Sequence, residues 1–173
     1  MSMRHLTAAF VIAVLPAGCS ADTATSLAAA ESQAQAAAVP FKGSCVTTST
    51  ATPIGPGKLR ILVNGECRFT HLGKTDFFAD QIADIAGGTL TGSNVFTAAN
   101  GDQLYSTNSG PLAPPARGIL TVGGDVTFTG GTGRFTNASG EGQFSGLVNV
   151  VAQTGANSWE GTIQYAASDR RSP

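Results

Sequence analysis

The stretch FTGGTGRFTNASGEGQFSG, Phe128 to Gly146, decides the fold, because its glycines suit two different structures. A phosphate-binding loop needs a strand, glycines whose amides face the anion, and a helix N-terminus directly behind them. No Gly-Lys-Ser or Gly-Lys-Thr occurs here, and Ser145 stands where the dinucleotide-binding pattern requires glycine. The residues that follow alternate as in a strand. We therefore interpret the glycines as bends in a sheet and exclude a nucleotide site.

Three glycines of this stretch fall on the apolar face of the strand that follows: Gly140, Gly142 and Gly146. Positions without a side chain let a strand coil sharply and let neighbouring chain approach closely, as at the corners of small barrels. The preceding GGTGRF, residues 130–135, predicts a turn between two strands.

Alternation of apolar and polar residues extends outward from this stretch and predicts half-buried strands. It is clearest in Lys58–Thr70, Gly118–Gly130, Gly140–Ala152 and Ser158–Ala167. Turn signals separate the runs at TPIGPG (52–57), ANGD (99–102) and TGANS (154–158). The prolines of SGPLAPPARG (109–118) predict a loop, because they lack the donor that a ladder needs. About eight strands at hairpin spacing are typical of an up-and-down barrel or a sandwich.

The segment TDFFADQIADIAGG, residues 75–88, is compatible with a helix or a strand. As a helix it would carry a stripe of aspartates four residues apart, beginning at Asp76. As a strand it would place on one face Phe77, Ala79, Ala83 and Ile85. We favour the strand, because its neighbours are strands and no capping box opens a helix here.

Two cysteines are placed to form a cross-strand disulfide. Cys45 and Cys67 are equidistant from Pro56 in the PIGPG turn, so a simple hairpin sets them opposite each other on the apolar face. In an exported protein this favours a disulfide, with two buried free thiols as the alternative.

The first forty residues predict export and a tether. A short segment with an arginine precedes the almost wholly apolar run Leu6–Leu15, and small residues follow, which is the layout of a secretory signal peptide. The run is too short for a membrane-spanning helix, which needs roughly 20 residues. We predict a signal peptide over 1–18, a flexible tether over 19–40 and one β-barrel domain over 41–168.

The signal ends in LPAGC, residues 15–19, which resembles the lipobox of bacterial lipoproteins, although Pro16 stands where leucine is usual. The resemblance implies that Cys19 is lipidated and anchors the protein to a membrane of the cell envelope, the outer membrane if the cell has two. The alternative is ordinary cleavage after Ala21, which would release a periplasmic or secreted protein.

The glycine-rich stretch, together with THLGK (70–74) and TAANGD (97–102), resembles the bacterial relatives of allene oxide cyclase and dirigent proteins. Their most recognisable pattern is G-x-G-x-[FY]-x-x-A-x-G, represented here by Gly131, Gly133, Phe135, Ala138 and Gly140. The resemblance covers roughly residues 41–167. It implies an all-β fold, a calycin-like, eight-stranded antiparallel up-and-down barrel. It also implies an isomerase or cyclase that encloses a hydrophobic substrate in an apolar cavity.

Composition narrows the possible functions. A net charge of −1 without a lysine and arginine cluster argues against a nucleic-acid partner. His71 is the one histidine left after the signal, and a single imidazole neither builds the usual metal site nor defines a Ser-His-Asp triad. We predict no metal and no cofactor, and no catalytic residues can be assigned.

The candidate ligand-binding residues are His71 and five aromatic residues on apolar strand faces: Phe69, Phe128, Phe144, Trp159 and Tyr165. Such side chains pack in the core of a barrel, line a ligand cavity, or both. Charged residues on the polar faces, Arg60, Glu66, Arg68, Glu141 and Glu160, are expected in solvent. Our leading hypothesis is an exported envelope barrel that binds a small hydrophobic ligand or a partner, and the alternative is the isomerase or cyclase.

Overall fold

The structure, a computed structural model, describes residues 37–113 and 115–166. The predicted signal peptide, the lipidation site Cys19 and most of the tether lie outside the described residues.

Eight antiparallel strands form one closed barrel in which each strand pairs with the next and the last pairs with the first. They are β1 (Val39–Gly55), β2 (Lys58–Phe69), β3 (Gly73–Asp84), β4 (Thr89–Ala98), β5 (Gln103–Pro111), β6 (Ile119–Gly131), β7 (Ser139–Asn149) and β8 (Thr154–Gln164). The predicted eight-stranded up-and-down barrel is confirmed, and the open sandwich is excluded. Closure leaves the sheet without an exposed edge.

The connections fall at two opposite ends of the barrel. The turns that follow β1, β3, β5 and β7 lie at one end, and those that follow β2, β4 and β6 lie at the other. We call the first the loop end and the second the plug end.

The segment 75–88, which the sequence left open between helix and strand, is a strand up to Asp84. β3 buries Phe77, Ala79 and Ala83 on the inner face and directs Asp80 outward to a hydrogen-bonded ion pair with Arg60 on β2. The aspartates that recur every four residues therefore lie on the outer face of a strand. Residues four apart share a face in a strand as well, because side chains alternate between its two faces.

The turn predicted at TGANS, residues 154–158, is wrong. Those residues begin β8, and the turn comes four residues earlier, at 150–153. Asn149 Oδ1 accepts hydrogen bonds from the backbone N–H groups of Val151 and Ala152, and Gln153 adopts a positive φ of 56°. The Asn149 side chain thus forms the turn. The glycine and asparagine of TGANS, which predicted a turn further along the chain, lie in β8 instead.

The predicted disulfide is confirmed. Cys45 and Cys67 face each other in the β1–β2 register, are almost completely buried and are bonded to each other.

A cluster of aromatic residues fills the half of the barrel near the plug end. We call it the aromatic cluster, and its members are Phe41, Phe69, Phe77, Phe96, Phe128 and Trp159. Phe96 is fully buried at its centre, with ring centroids 5.2 Å from those of Phe69, Phe77 and Trp159. Phe41 packs against Phe69 and Phe128 on the other side. Phe96 meets Phe69 and Trp159 edge to face, and Phe41 stacks on Phe69. Aromatic contacts of both kinds add to the free energy gained from burial alone.

The glycine-rich stretch closes the plug end as well as bending the sheet. After β6 ends at Gly131, the chain forms a short 3₁₀ helix, Gly133–Phe135, whose last side chain is fully buried. The Gly131 Cα lies so close to the Gln103 carbonyl that any side chain would collide with it, and Gly133 has a φ of 55°. These glycines allow a tight turn that inserts the Phe135 ring into the barrel.

Candidate functional site

A cavity of about 360 Å³ occupies the half of the barrel near the loop end. Its wall is mostly aliphatic, with side chains from β2, β3, β4, β6 and β7: Leu59, Ile61, Val63, Ala79, Ala83, Leu90, Leu120, Val122 and Val148. Phe77, Phe144 and Trp159 also line it and join it to the aromatic cluster. Because that cluster and Phe135 fill the other half of the barrel, the cavity ends blindly.

Apolar residues form most of the mouth, which Ser49 and Gln153 also line. Leu112, Ala113 and Pro115 of the proline-rich segment line the cavity, and the Leu112 N–H donates to the Gly88 carbonyl of a neighbouring turn. The Ile85 and Val150 side chains also line the cavity and are 52% and 42% exposed. A ligand entering at the loop end would therefore contact mainly hydrocarbon.

A group of buried amide side chains interrupts the aliphatic wall on three adjacent strands. Gln81 of β3 and Asn108 of β5 exchange two hydrogen bonds, both at 3.0 Å. Asn94 of β4 accepts from Gln81 Nε2 and donates to Asn108 Oδ1, again at 3.0 Å. We call these three residues, all of which line the cavity, the amide cluster.

A serine on β5 also holds the amide cluster in place. Asn94 Nδ2 also donates to Ser106 Oγ at 3.0 Å, and Ser106 is almost fully buried. A buried amide without partners would cost several kcal/mol, so this mutual pairing is what makes three amides tolerable inside a barrel.

Two further polar atoms near the cavity have no partner among the described residues. They are Asn157 Oδ1 and Trp159 Nε1, two residues apart on the inner face of β8. β8 lies across the barrel from β4, so polar groups occur on opposite walls.

No ionisable side chain is among the described residues that line the cavity. The resolved changes in carboxyl pKa lie outside it, on the outer face of β3. Hydrogen bonds from Arg60 lower the pKa of Asp80, and the backbone N–H of Gly87 lowers that of Asp84. Among the described residues that line the cavity, none is a candidate for acid–base catalysis by a charged group. The described residues also contain no cluster of three metal-ligating side chains.

The structure divides the candidate ligand-binding residues between the two halves of the barrel. Phe144 and Trp159 line the cavity, and Trp159 also belongs to the aromatic cluster. Phe69 and Phe128 lie in the aromatic cluster and do not line the cavity. His71 lies in the exposed turn after β2 at the plug end, with its ring centroid 5.9 Å from that of Tyr165. Tyr165 packs in turn against Phe135.

The amide cluster was missed by the sequence analysis, although the alternation contained a signal for it. Gln81 shares the inner face with Phe77, Ala79 and Ala83, and a polar residue on an apolar face is unusual. That signal marks Gln81 as special, but it does not show that residues 13 and 27 positions further on meet it.

Proteins similar to this chain are found among solved structures. No protein-family model and no curated protein matches the chain. Among solved structures, the pterocarpan synthase dirigent protein GePTS1 is similar, with 14% identity, coverage of 76% of this chain and 88% of that one, and a TM-score of 0.48. The pterocarpan synthase dirigent protein PsPTS1 has 13% identity, coverage of 78% and 99%, and a TM-score of 0.46. What the barrel does therefore has to be inferred from its own residues.

Proposed function

We propose that the protein binds a small, uncharged, apolar molecule inside the barrel. The observation that carries this proposal is the blind cavity of about 360 Å³, with an aliphatic wall and no ionisable lining side chain among the described residues. Ligand pockets usually have volumes of about 300–1,000 Å³, so the cavity suits a small ligand. An ion entering it would lose its hydration without gaining a counter-charge.

The ligand would gain free energy mainly by leaving water. Burial of apolar surface contributes roughly 25 cal/mol per Å². Closure of the barrel pre-forms the site, so little conformational entropy would be lost on binding. Binding would also bring the ligand against Trp159, the single tryptophan of the chain, which lines the cavity.

We predict that the purified protein binds the uncharged probe N-phenyl-1-naphthylamine, with a rise in probe fluorescence and a change in Trp159 emission. The substitution Ala79→Phe places a ring in the cavity, because Ala79 lines it and is 1% exposed. We expect this variant to bind the probe at least tenfold more weakly.

The matched control is Ala156→Phe, which adds the same ring to an exposed outward position on β8. Its affinity should equal that of the unchanged protein. Absence of probe binding by the unchanged protein, or equal binding by the Ala79→Phe variant, would contradict the proposal.

A second candidate function is an isomerase or cyclase, and the amide cluster favours it. Enclosure together with a few fixed hydrogen bonds is enough to select one conformation of a reactive, hydrophobic substrate. Formation of one stereoisomer from such a substrate would support this function. Identical product mixtures with and without the protein would count against it.

We further propose that the protein is exported and anchored to the cell envelope through a lipid on Cys19. The buried disulfide supports export, because disulfides persist mainly in oxidising compartments. Mass spectrometry of the mature protein should show a diacylated N-terminal Cys19. A mature chain that starts at Asp22 would show ordinary signal cleavage and reject the anchor.

A further inference from the structure

The amide cluster has one completed edge and one open edge. In the reciprocal pair of Gln81 and Asn108, each amide uses one N–H and one carbonyl lone pair for the other. The remaining groups lie along two edges, and each edge offers one donor beside one acceptor. Gln81 Nε2 and Asn108 Oδ1 form the first edge, and the Asn94 amide satisfies both of them.

The second edge consists of the other hydrogen on Asn108 Nδ2 and the other lone pair on Gln81 Oε1. No side chain among the described residues occupies it as Asn94 occupies the first edge. β4 runs from the loop end to the plug end, and Asn94 follows Gly92 along it. The edge opposite Asn94 is therefore on the side of the loop end, toward the mouth of the cavity.

Gly92 makes room for this arrangement. It is the β4 residue in register with both Gln81 and Asn108, so the two amides meet directly above it. A Cβ at this position would lie 2.5 Å from Gln81 Oε1 and 2.6 Å from Gln81 Cδ. A side chain here would displace the pair, so the glycine keeps the open edge available inside the barrel.

The surroundings restrict what can occupy the open edge. The neighbouring wall is aliphatic and carries no ionisable side chain among the described residues, which disfavours a carboxylate or an ammonium group. A group that only donates or only accepts would leave half of the edge unsatisfied. The complement is a neutral group that does both, as the Asn94 amide does on the first edge.

We propose that the open edge of the amide cluster is the polar recognition site of the cavity, and that it selects apolar ligands carrying one neutral donor–acceptor group, an amide or a hydroxyl. This proposal rests on the proposed binding function. The ligand group accepts from Asn108 Nδ2 and donates to Gln81 Oε1, while its hydrocarbon part lies against the aliphatic wall. The unpartnered polar atoms of Asn157 and Trp159 on the opposite wall provide for a second polar group.

The test is displacement of N-phenyl-1-naphthylamine by five unbranched compounds of eight carbons each: octanamide, octan-1-ol, 1-chlorooctane, octanoate and octylammonium. The affinity of each uncharged compound is divided by its water-to-hexane partition coefficient, so that a cavity of hydrocarbon alone would give equal values. We expect the corrected values for octanamide and octan-1-ol to exceed that of 1-chlorooctane at least tenfold. Octanoate and octylammonium should bind at least tenfold more weakly than octanamide.

The variant Asn108→Leu removes the donor of the open edge. It should reduce the corrected preference for octanamide and octan-1-ol over 1-chlorooctane from tenfold to less than threefold. The matched control is Asn64→Leu at an exposed position on β2, which should keep the preference. If the Asn108→Leu variant does not fold, Gln81→Met removes the acceptor instead, and the five compounds on the unchanged protein decide the question by themselves.

The outcomes separate the two proposals. If the probe itself does not bind, the proposed binding function fails and the recognition site with it. If the probe binds but all uncharged compounds have equal corrected affinities, the cavity selects for hydrophobicity alone. In that case the recognition site is overturned and the binding function stands.

Discussion

Replacing Phe96 with alanine is expected to lower the free energy of unfolding by about 4 kcal/mol. The ring is fully buried and contacts four other aromatic rings, those of Phe41, Phe69, Phe77 and Trp159. These neighbours belong to four different strands of a closed barrel, so they cannot move together to fill the space. The loss should appear as a lower urea midpoint in circular dichroism, with an unchanged dependence on denaturant.

The matched control is Phe78→Ala on the outer face of β3. Phe78 is 42% exposed, so its truncation removes less buried surface and leaves no enclosed void. We expect a loss of about 1 kcal/mol. Equal losses at positions 78 and 96 would mean that the aromatic cluster does not hold the plug half together.

The barrel could be predicted because its main determinants are local. Alternation assigns each residue of β2, β6 and β7 to a face without knowledge of its neighbours. The cysteine pair follows from the same reasoning, since equal distances from one turn place Cys45 opposite Cys67. The turn at 150–153 was missed because it depends on the Asn149 side chain, whereas Gly155, two residues after the turn, gave the stronger local signal.

The amide cluster could not be predicted, because it depends on non-local geometry. The contact between Gln81 and Asn108 exists only because β4 lies between their strands and carries a glycine at the right register. The division of the aromatic residues is equally non-local. Phe128 and Phe144 have similar sequence surroundings, yet one packs in the aromatic cluster and the other lines the cavity. The half that a residue occupies depends on its position along the barrel axis, between the loop end and the plug end.

The double substitution of Cys45 and Cys67 by alanine is expected to lower the free energy of unfolding by about 3 kcal/mol. The bond joins residues 22 positions apart and so restricts the unfolded chain across the whole β1–β2 hairpin. Urea unfolding of the double variant should show this loss. Reduction of the unchanged protein with dithiothreitol under denaturing conditions, followed by refolding with the reductant present, should show a similar one.

A single-cysteine variant distinguishes the contribution of the disulfide bond to stability from that of side-chain packing. Both cysteines are almost completely buried, and the single variant Cys45→Ala already removes the bond while it keeps the Cys67 thiol in place. The single and double variants should therefore differ by less than about 1 kcal/mol, and full stability in either would show that the bond contributes little. Small domains are typically stable by about 5–15 kcal/mol, so a contribution of about 3 kcal/mol is a substantial share. A barrel with that dependence is most stable where the bond can form, which links the measurement to the proposed export into an oxidising compartment.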